Sequence, residues 1–294
     1  MKELELEDKA TIEKYLHLKD HSLSAFSFAN IYIWKGLFKI NWEIIDGALC
    51  IFMQDDVACF MYLPPLGKIS REIIERCFKI MDAKNANKSF SRIENAEKRD
   101  LDYYKMFDLV SRFRFNEYLY LKKNLVSLAG DDYKSKRSAY NYFVKNYKFK
   151  IQNFQSDFQA GCLALFKNWV ANRKAKNSDP IYQKMLEDNY STHSLAMKYY
   201  KPLGLVGRII KIDDKIKAYS FGFKLNKDTF CVLFEVTDLE IKGLSQFIFR
   251  EFVRGFDGFS FINVMDDSGL ENLKKVKSSY KPIRLESSYA ITRN

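Results

Sequence analysis

Residues 206–264 read VGRIIKIDDKIKAYSFGFKLNKDTFCVLFEVTDLEIKGLSQFIFREFVRGFDGFSFINV. Three runs rich in β-branched and aromatic residues, at 206–212, 216–224 and 229–236, have the composition of strands. Asp213-Asp214 joins the first two. A Phe-rich stretch at 243–256 has helical length, and 258–264 returns to a strand. The polar run Met265-Asp266-Asp267-Ser268-Gly269 follows, then a short basic helix over 270–280. Pro282 stops that helix, and residues 284–291 make a closing strand. Strand–strand–strand–helix–strand–helix–strand predicts a mixed α/β (α+β) fold.

The chain before this region alternates in the same way. Helical periodicity covers 3–18, and AFSFANIYIW is a buried helix or turn. Strands are expected at 38–45, 48–53 and 58–62, with Asp46-Gly47 as a hairpin turn. Pro64-Pro65-Leu66-Gly67 breaks the chain. REIIERCFKIM at 71–81 is an amphipathic helix. Residues 90–93 read as a strand, 102–110 as a short helix and 114–120 as a strand. Residues 121–130 form a joint. Helices follow at 133–147, 158–173 and 181–198, the second with an amphipathic pattern. The expected organisation is two domains, 1–120 and 121–294, whose sheets meet near 115–130.

The 294 residues are 47% apolar and 29% charged, which excludes disorder. Lys plus Arg number 48 against 37 acids, a net charge of +11. That balance favours an anionic partner such as nucleic acid, anionic lipid or a phosphorylated cofactor. The longest stretch free of Asp, Glu, Lys and Arg is 14 residues, His21 to Trp34. A spanning helix needs about 20, so no transmembrane segment is expected. The charged N-terminus has no signal-peptide core, which points to the cytoplasm. Five cysteines lie in apolar runs without a C-x-x-C pair, as reduced core thiols do. Three histidines show no metal-ligand spacing, and no metal is expected.

Four passages together carry a resemblance: LVSLAGDDYKSKRSAYNYF (125–143), GRIIKIDDKIKAYSFGFKLN (207–226), FEVTDLEIKGLSQ (234–246) and FINVMDDSGLENLKKVKSSYKP (261–282). FANIYIW and PPLG extend it towards the N-terminus. The chain resembles the conserved C-terminal domain of phosphatidylglycerol lysyltransferases and its stand-alone relatives. The resemblance implies two GNAT-like acyltransferase domains in tandem, akin to Fem-type aminoacyltransferases. It further implies an acyltransferase that moves an aminoacyl group from aminoacyl-tRNA to an amine or hydroxyl acceptor, a lipid head group or a peptide. Aminoacyl-tRNA would be the donor substrate, with no other cofactor required. The protein would then sit in the cytoplasm or peripherally at a membrane surface.

GNAT chemistry needs a bulged strand that opens a cleft, and donors that hold carbonyl and phosphate groups. Where acetyl-CoA users carry a Gln/Arg-rich glycine loop, this chain has Glu240-Ile241-Lys242-Gly243. Gly243 fits, but the Glu240 carboxylate repels a pyrophosphate, which disfavours acetyl-CoA. Lys242 at the helix start is a candidate anion contact. Glu235, a carboxylate in an apolar strand, is a candidate general base, and Asp238 at the strand end a second carboxylate. For both Glu235 and Asp238 the alternative is a surface carboxylate paired with a lysine. Asn263 and Asp266 follow the fourth strand and could hold an amine, or form a turn capped by Asp267 or Ser268. On the last helix Lys274 and Lys277 share a face. The Fem-like resemblance makes Lys277 the carbonyl-holding candidate, with Tyr280 a turn away. An ordinary basic helix face is the alternative.

Residues 133–147 carry four cationic side chains and no acid. Lys134, Arg137 and Asn141 fall on one helical stripe beside Lys136, suited to the phosphates of a tRNA. Tyr133, Tyr140 and Tyr142 could stack on bases or form the helix's inner face. Two other functions stay open: a CoA-dependent N-acyltransferase, and a non-catalytic GNAT-like module that binds RNA or anionic lipid.

Overall fold

The structure is a computed structural model that describes residues 1–293. Its strands are β1 (Lys2–Glu3), β2 (Lys39–Ile45), β3 (Ala48–Gln54), β4 (Cys59–Met61), β5 (Ile93–Glu97), β6 (Leu109–Leu121), β7 (Lys150–Asn153), β8 (Val206–Ile212), β9 (Lys215–Lys224), β10 (Thr229–Thr237), β11 (Phe261–Asn263) and β12 (Arg284–Arg293). The chain divides into two compact units. The first comprises residues 1–117, 266–269 and the chain from Leu285 onwards; the second comprises 118–265 and 270–284.

In the first unit the strand order is β1-β2-β3-β4-β5-β12-β6. Its helices are α1 (Lys9–Leu16), α2 (Phe28–Ile33), α3 (Arg71–Asp82) and α4 (Leu101–Lys105). β2, β3 and β4 form an antiparallel meander, α3 crosses over, and β5 returns parallel to β4. Ser70 starts α3 by accepting a hydrogen bond from the Ile73 N–H. The spacing of Ile73, Ile74, Cys77, Phe78 and Met81 puts all five on one face, buried against Phe52, Met61, Ile93 and Ile291. Full burial of each large apolar side chain contributes about 1.5–3 kcal/mol.

Two expectations shift here. The strand foreseen at 90–93 lies instead over Ile93–Glu97, and all five residues are buried. Two of them, Glu94 and Glu97, are carboxylates, so the apolar pattern that marks a strand is missing. Both are paired, Glu94 with Arg92 and Arg114, Glu97 with His21 and Arg99. The second change is in the domain limits. The first unit takes residues 1–117 as its leading stretch and also the chain from Leu285, where β12 pairs antiparallel with β5.

The second unit contains α5 (Lys122–Ser127), α6 (Lys134–Asn146), α7 (Gln159–Lys174), α8 (Pro180–Lys198), α9 (Tyr200–Leu203), α10 (Leu244–Arg254) and α11 (Glu271–Ser278). Its strand order is β6-β11-β10-β9-β8-β7. Again an antiparallel meander, β8-β9-β10, is followed by one helix, α10, and by a strand parallel to the last, β11. β6 gives residues 109–117 to the first unit and 118–121 to the second. β7, unread in the sequence, is an edge strand exposed at all four residues. Among the described residues no helix is long and apolar enough to cross a membrane.

α10 packs on α6 through Phe247, whose ring centroid is 4.6 Å from that of Phe143 and 5.3 Å from that of Tyr140. The helices approach most closely at Gly243. Its φ is +83°, and an added Cβ would come 2.1 Å from the Ala139 carbonyl oxygen. Gly258 has a similar φ of +82° but nothing within 4 Å. Gly258→Ala should therefore cost only the conformational penalty, up to about 1 kcal/mol, whereas Gly243→Ala should add overpacking of roughly 1–3 kcal/mol. Urea unfolding of both variants measures the difference. Equal losses would show that α6 yields without cost.

Candidate functional site

The site of the second unit is set by one extra residue in β10. The β9 register pairs Val232 with Gly222 and Phe234 with Phe221, leaving Leu233 as a bulge. Before the bulge, even-numbered residues face α10. Phe230 stacks 4.1 Å from Phe256, and Val232 joins the cluster of Phe252, Val253 and Tyr280. After it, the parity reverses. Phe234 faces the other layer and stacks 4.0 Å from His193 of α8. Glu235 is thereby turned to the side of α10 and Tyr280. β11 pairs with β10 only from Thr229 to Cys231, while β10 continues to Thr237. The bulge and the early end of β11 leave Glu235 on a stretch of β10 that pairs with β9 alone, beyond the parallel pair.

Glu235 Oε2 is shielded from solvent and has no hydrogen-bond partner. Burial alone pushes the carboxyl up to about 8, so near neutrality it holds its proton. Tyr280 is held above its ordinary range by burial, then by the charge of Glu235 and by Tyr133. The Tyr133 hydroxyl donates to the Tyr280 carbonyl at 2.8 Å, and Phe249 meets the Tyr280 ring edge-on at 5.1 Å. The Lys136 ammonium lies 4.8 Å over that ring, and burial lowers its pKa. Tyr280 thus links a half-buried, protonated acid, Glu235, to a partly desolvated ammonium, Lys136.

At the end of β11 the Lys277 ammonium donates to the Val264 carbonyl at 2.6 Å and lies 5.8 Å from the Tyr118 ring. The Tyr120 hydroxyl fixes the same helix by donating to the Lys277 carbonyl at 2.8 Å. Asn263 is fully buried, and its Oδ1 accepts the Met265 N–H at 2.7 Å. It turns the chain out of β11.

The other sequence candidates are placed differently. Lys134, Asn141 and Lys274 are exposed. Arg137 does not hold its fork open to a phosphate: Nη1 donates to the carbonyls of Leu128 and Gly130, tying down the end of α5. Tyr133 and Tyr140 are inner-face residues, the latter donating to Glu251 at 2.9 Å. Asp238 is ion-paired with Lys217 at 2.8 Å, which holds its carboxyl low against the effect of burial. Lys242 sits 4.5 Å over the Tyr142 ring. Asp266 belongs to the first unit and accepts the Ser268 N–H in a tight turn; Asp267 does the same for Gly269. No side chain caps α11, so the expected cap by Asp267 or Ser268 is corrected to these turns.

Sequence reading also missed a cleft of about 670 Å³ between α7, the β8–β9 hairpin and residues 237–240. Its signal was there: beside its buried stripe of Cys162, Leu165 and Phe166, α7 lines the cleft with the small and polar Gly161, Ala164, Asn168 and Asn172. No cluster of His, Cys, Asp and Glu among the described residues has a metal-holding arrangement.

The sequence matches the family model for the C-terminal domain of phosphatidylglycerol lysyltransferase over residues 17–292. No curated protein matches the chain. Among solved structures, a conserved protein of unknown function from Bacteroides thetaiotaomicron is similar with a TM-score of 0.87 and 22% identity, covering 100% of this chain and 99% of that one. The L-PGS of Bacillus licheniformis gives 0.65 at 16% identity, covering 97% and 92%. FemX gives 0.62 at 8% identity, covering 99% and 97%. At these identities the structures speak to the fold alone, and a tandem GNAT protein from the clavulanic acid biosynthesis pathway (TM-score 0.52, 7% identity, covering 98% of this chain and 97% of that one) shares it, in line with two GNAT-like units in tandem. With its family model matched along nearly its whole length and a bulged, opened strand in its second unit, the chain belongs to the phosphatidylglycerol lysyltransferase C-terminal domain family, of acyltransferase type.

Proposed function

We propose that the protein transfers an aminoacyl group from aminoacyl-tRNA to an amine or hydroxyl acceptor at the end of β10 that β11 does not reach. The observation that carries this reading is Glu235, a half-buried residue whose shielded Oε2 has no hydrogen-bond partner, on the stretch that the bulge redirects. Once ionised, it takes the proton of the acceptor as the acceptor attacks the ester carbonyl. The ester C–O bond then breaks, and the tRNA ribose oxygen leaves and is reprotonated. A base with a pKa near 8 suits this task, because it is both available and basic close to working pH. Lys277, held in place by the Val264 carbonyl, supplies positive charge for the oxyanion. Tyr280 and Lys136 complete the polar wall on the side of α10.

Aminoacyl-tRNA is favoured over acetyl-CoA as donor because Glu240 stands at the approach to α10, where a pyrophosphate would lie. A net charge of +11 and the exposed Lys134 favour a polyanion. The acceptor is a lipid head group or a peptide, and a lipid would bring the protein to a membrane surface.

Three outcomes follow. In single-turnover transfer from aminoacyl-tRNA, Glu235→Gln and Lys277→Met should each slow the reaction by about 10²–10³ while circular dichroism stays native. Wild-type rates in both would place the chemistry elsewhere. Isothermal titration with acetyl-CoA should find a Kd no tighter than roughly 1 mM; micromolar binding would promote a CoA-dependent reaction instead. The third outcome concerns pH. Because the folded pKa of Glu235 is raised, the native state keeps a proton that the unfolded chain releases. Its contribution is present below the ordinary carboxylate range and is lost as pH rises to about 8. Wild type should therefore lose stability relative to Glu235→Gln between pH 5 and 9, measured by urea unfolding, and wild-type transfer should rise over the same interval. Parallel stability profiles would mean that Glu235 is already ionised at pH 5.

A further inference from the structure

The two N-terminal passages that sequence reading singled out, the run after His21 and Pro64-Pro65-Leu66-Gly67, meet around one cavity inside the first unit. It encloses about 390 Å³ and is walled by Tyr15, Phe26, Pro64, Pro65 and Leu66. That volume falls within the ~300–1,000 Å³ of small-molecule sites, which are likewise mostly apolar with a few placed polar groups.

Its polar wall is built rigidly. The His21 ring stacks on Phe26 with centroids 3.7 Å apart and planes 6° from parallel. His21 Nδ1 meets Glu97 Oε2 at 2.9 Å. Glu97 also accepts the Ser22 N–H at 2.8 Å, the Ser22 hydroxyl at 3.0 Å and an Arg99 N–H. Despite burial, these donors hold the Glu97 carboxyl down to about 2. The acid is therefore consumed by its own neighbours and presents no spare charge to the cavity.

At the rim the charges do not cancel. Lys19 is paired with Asp100 at 3.0 Å. Lys68, also a lining residue, is exposed and has no ion-pair partner among the described residues. Beside them Leu18 is 59% exposed, an apolar side chain left at the mouth. The cavity thus offers an apolar interior, an apolar lip and one uncompensated ammonium.

We infer that this cavity binds a compact apolar monoanion, a ring or short chain bearing one carboxylate or phosphate, with Lys68 on the acidic head and the Phe26–proline wall on the apolar body. This site is independent of the reading given to Glu235. Calorimetric titration of the full chain with 4-phenylbutyrate, phenethyl phosphate and 4-phenylbutan-1-ol tests it. One equivalent of at least one acid should bind about fivefold more tightly than the alcohol, the size of one exposed ion pair; the stronger acid identifies the head group. Lys68→Ala should remove that preference, Lys68→Arg should keep it, and Leu18→Asp should weaken the acids more than the alcohol. All three changes lie on exposed side chains, so folding is not at stake. Photolabelling with a diazirine-bearing benzoate should mark peptides containing residues 15–26 or 64–69. Equal binding of acid and alcohol in wild type, labelling confined to other peptides, or no saturable binding of either acid would overturn the proposal.

Discussion

A single unpaired residue in a strand organises the second unit. With Leu233 out of register, the side chains of β10 change sides halfway along the strand. Aromatic residues then serve both helical layers: Phe230 packs under α10 and Phe234 against α8. Without the bulge, Phe234 would keep company with Phe230, and Glu235 would face His193 in an aromatic core. The carboxyl would then meet a ring whose own pKa burial holds down to about 3. The bulge therefore takes the acid out of the His193 layer and leaves that layer to aromatic rings.

Much of this was legible because strand and helix periods differ. The meander, helix and parallel strand in the second unit come from β-branched runs broken by Asp213-Asp214 and by Gly243. Glu235 stood out as an acid in an apolar run. What escaped notice had contrary local chemistry. β5 hides two carboxylates in five buried residues, and β7 buries none of its four. The stripe rule grouped Lys134, Arg137 and Asn141, yet it is Lys136, one step off that stripe, that reaches Tyr280. Helical spacing says which residues are neighbours but not which face turns inward. Arg137 looked like an anion fork because the carbonyls it binds precede its own helix in a loop whose path has no sequence signature.

The two units repeat one topology but spend their buried polar groups differently. In the first, Glu97 and Glu117 are saturated with donors: His21, Ser22 and Arg99 on one, and the Ser24 N–H and hydroxyl on the other. Such networks rigidify and specify a packing. In the second, Glu235 Oε2 is left unsatisfied. A buried acceptor without a partner costs free energy in the resting fold, and that cost is recovered only when something arrives to share its proton. The same architecture thus supports one unit built for persistence and another held short of its lowest energy.

The position of β12 bears on how the chain is made. It lies between β5 and β6 in strand order, although 162 residues, 122–283, separate it from β6 in sequence. During synthesis at about 5–20 residues per second, the first unit waits roughly 10–30 s for its missing strand. Throughout that interval β5 and β6 have open hydrogen-bonding edges, the feature that invites pairing with other chains. The buried acids of β5 and the charged Arg112 and Arg114 of β6 make those waiting edges poor templates for aggregation. Charge that looks misplaced in a finished sheet is thus an asset on the ribosome.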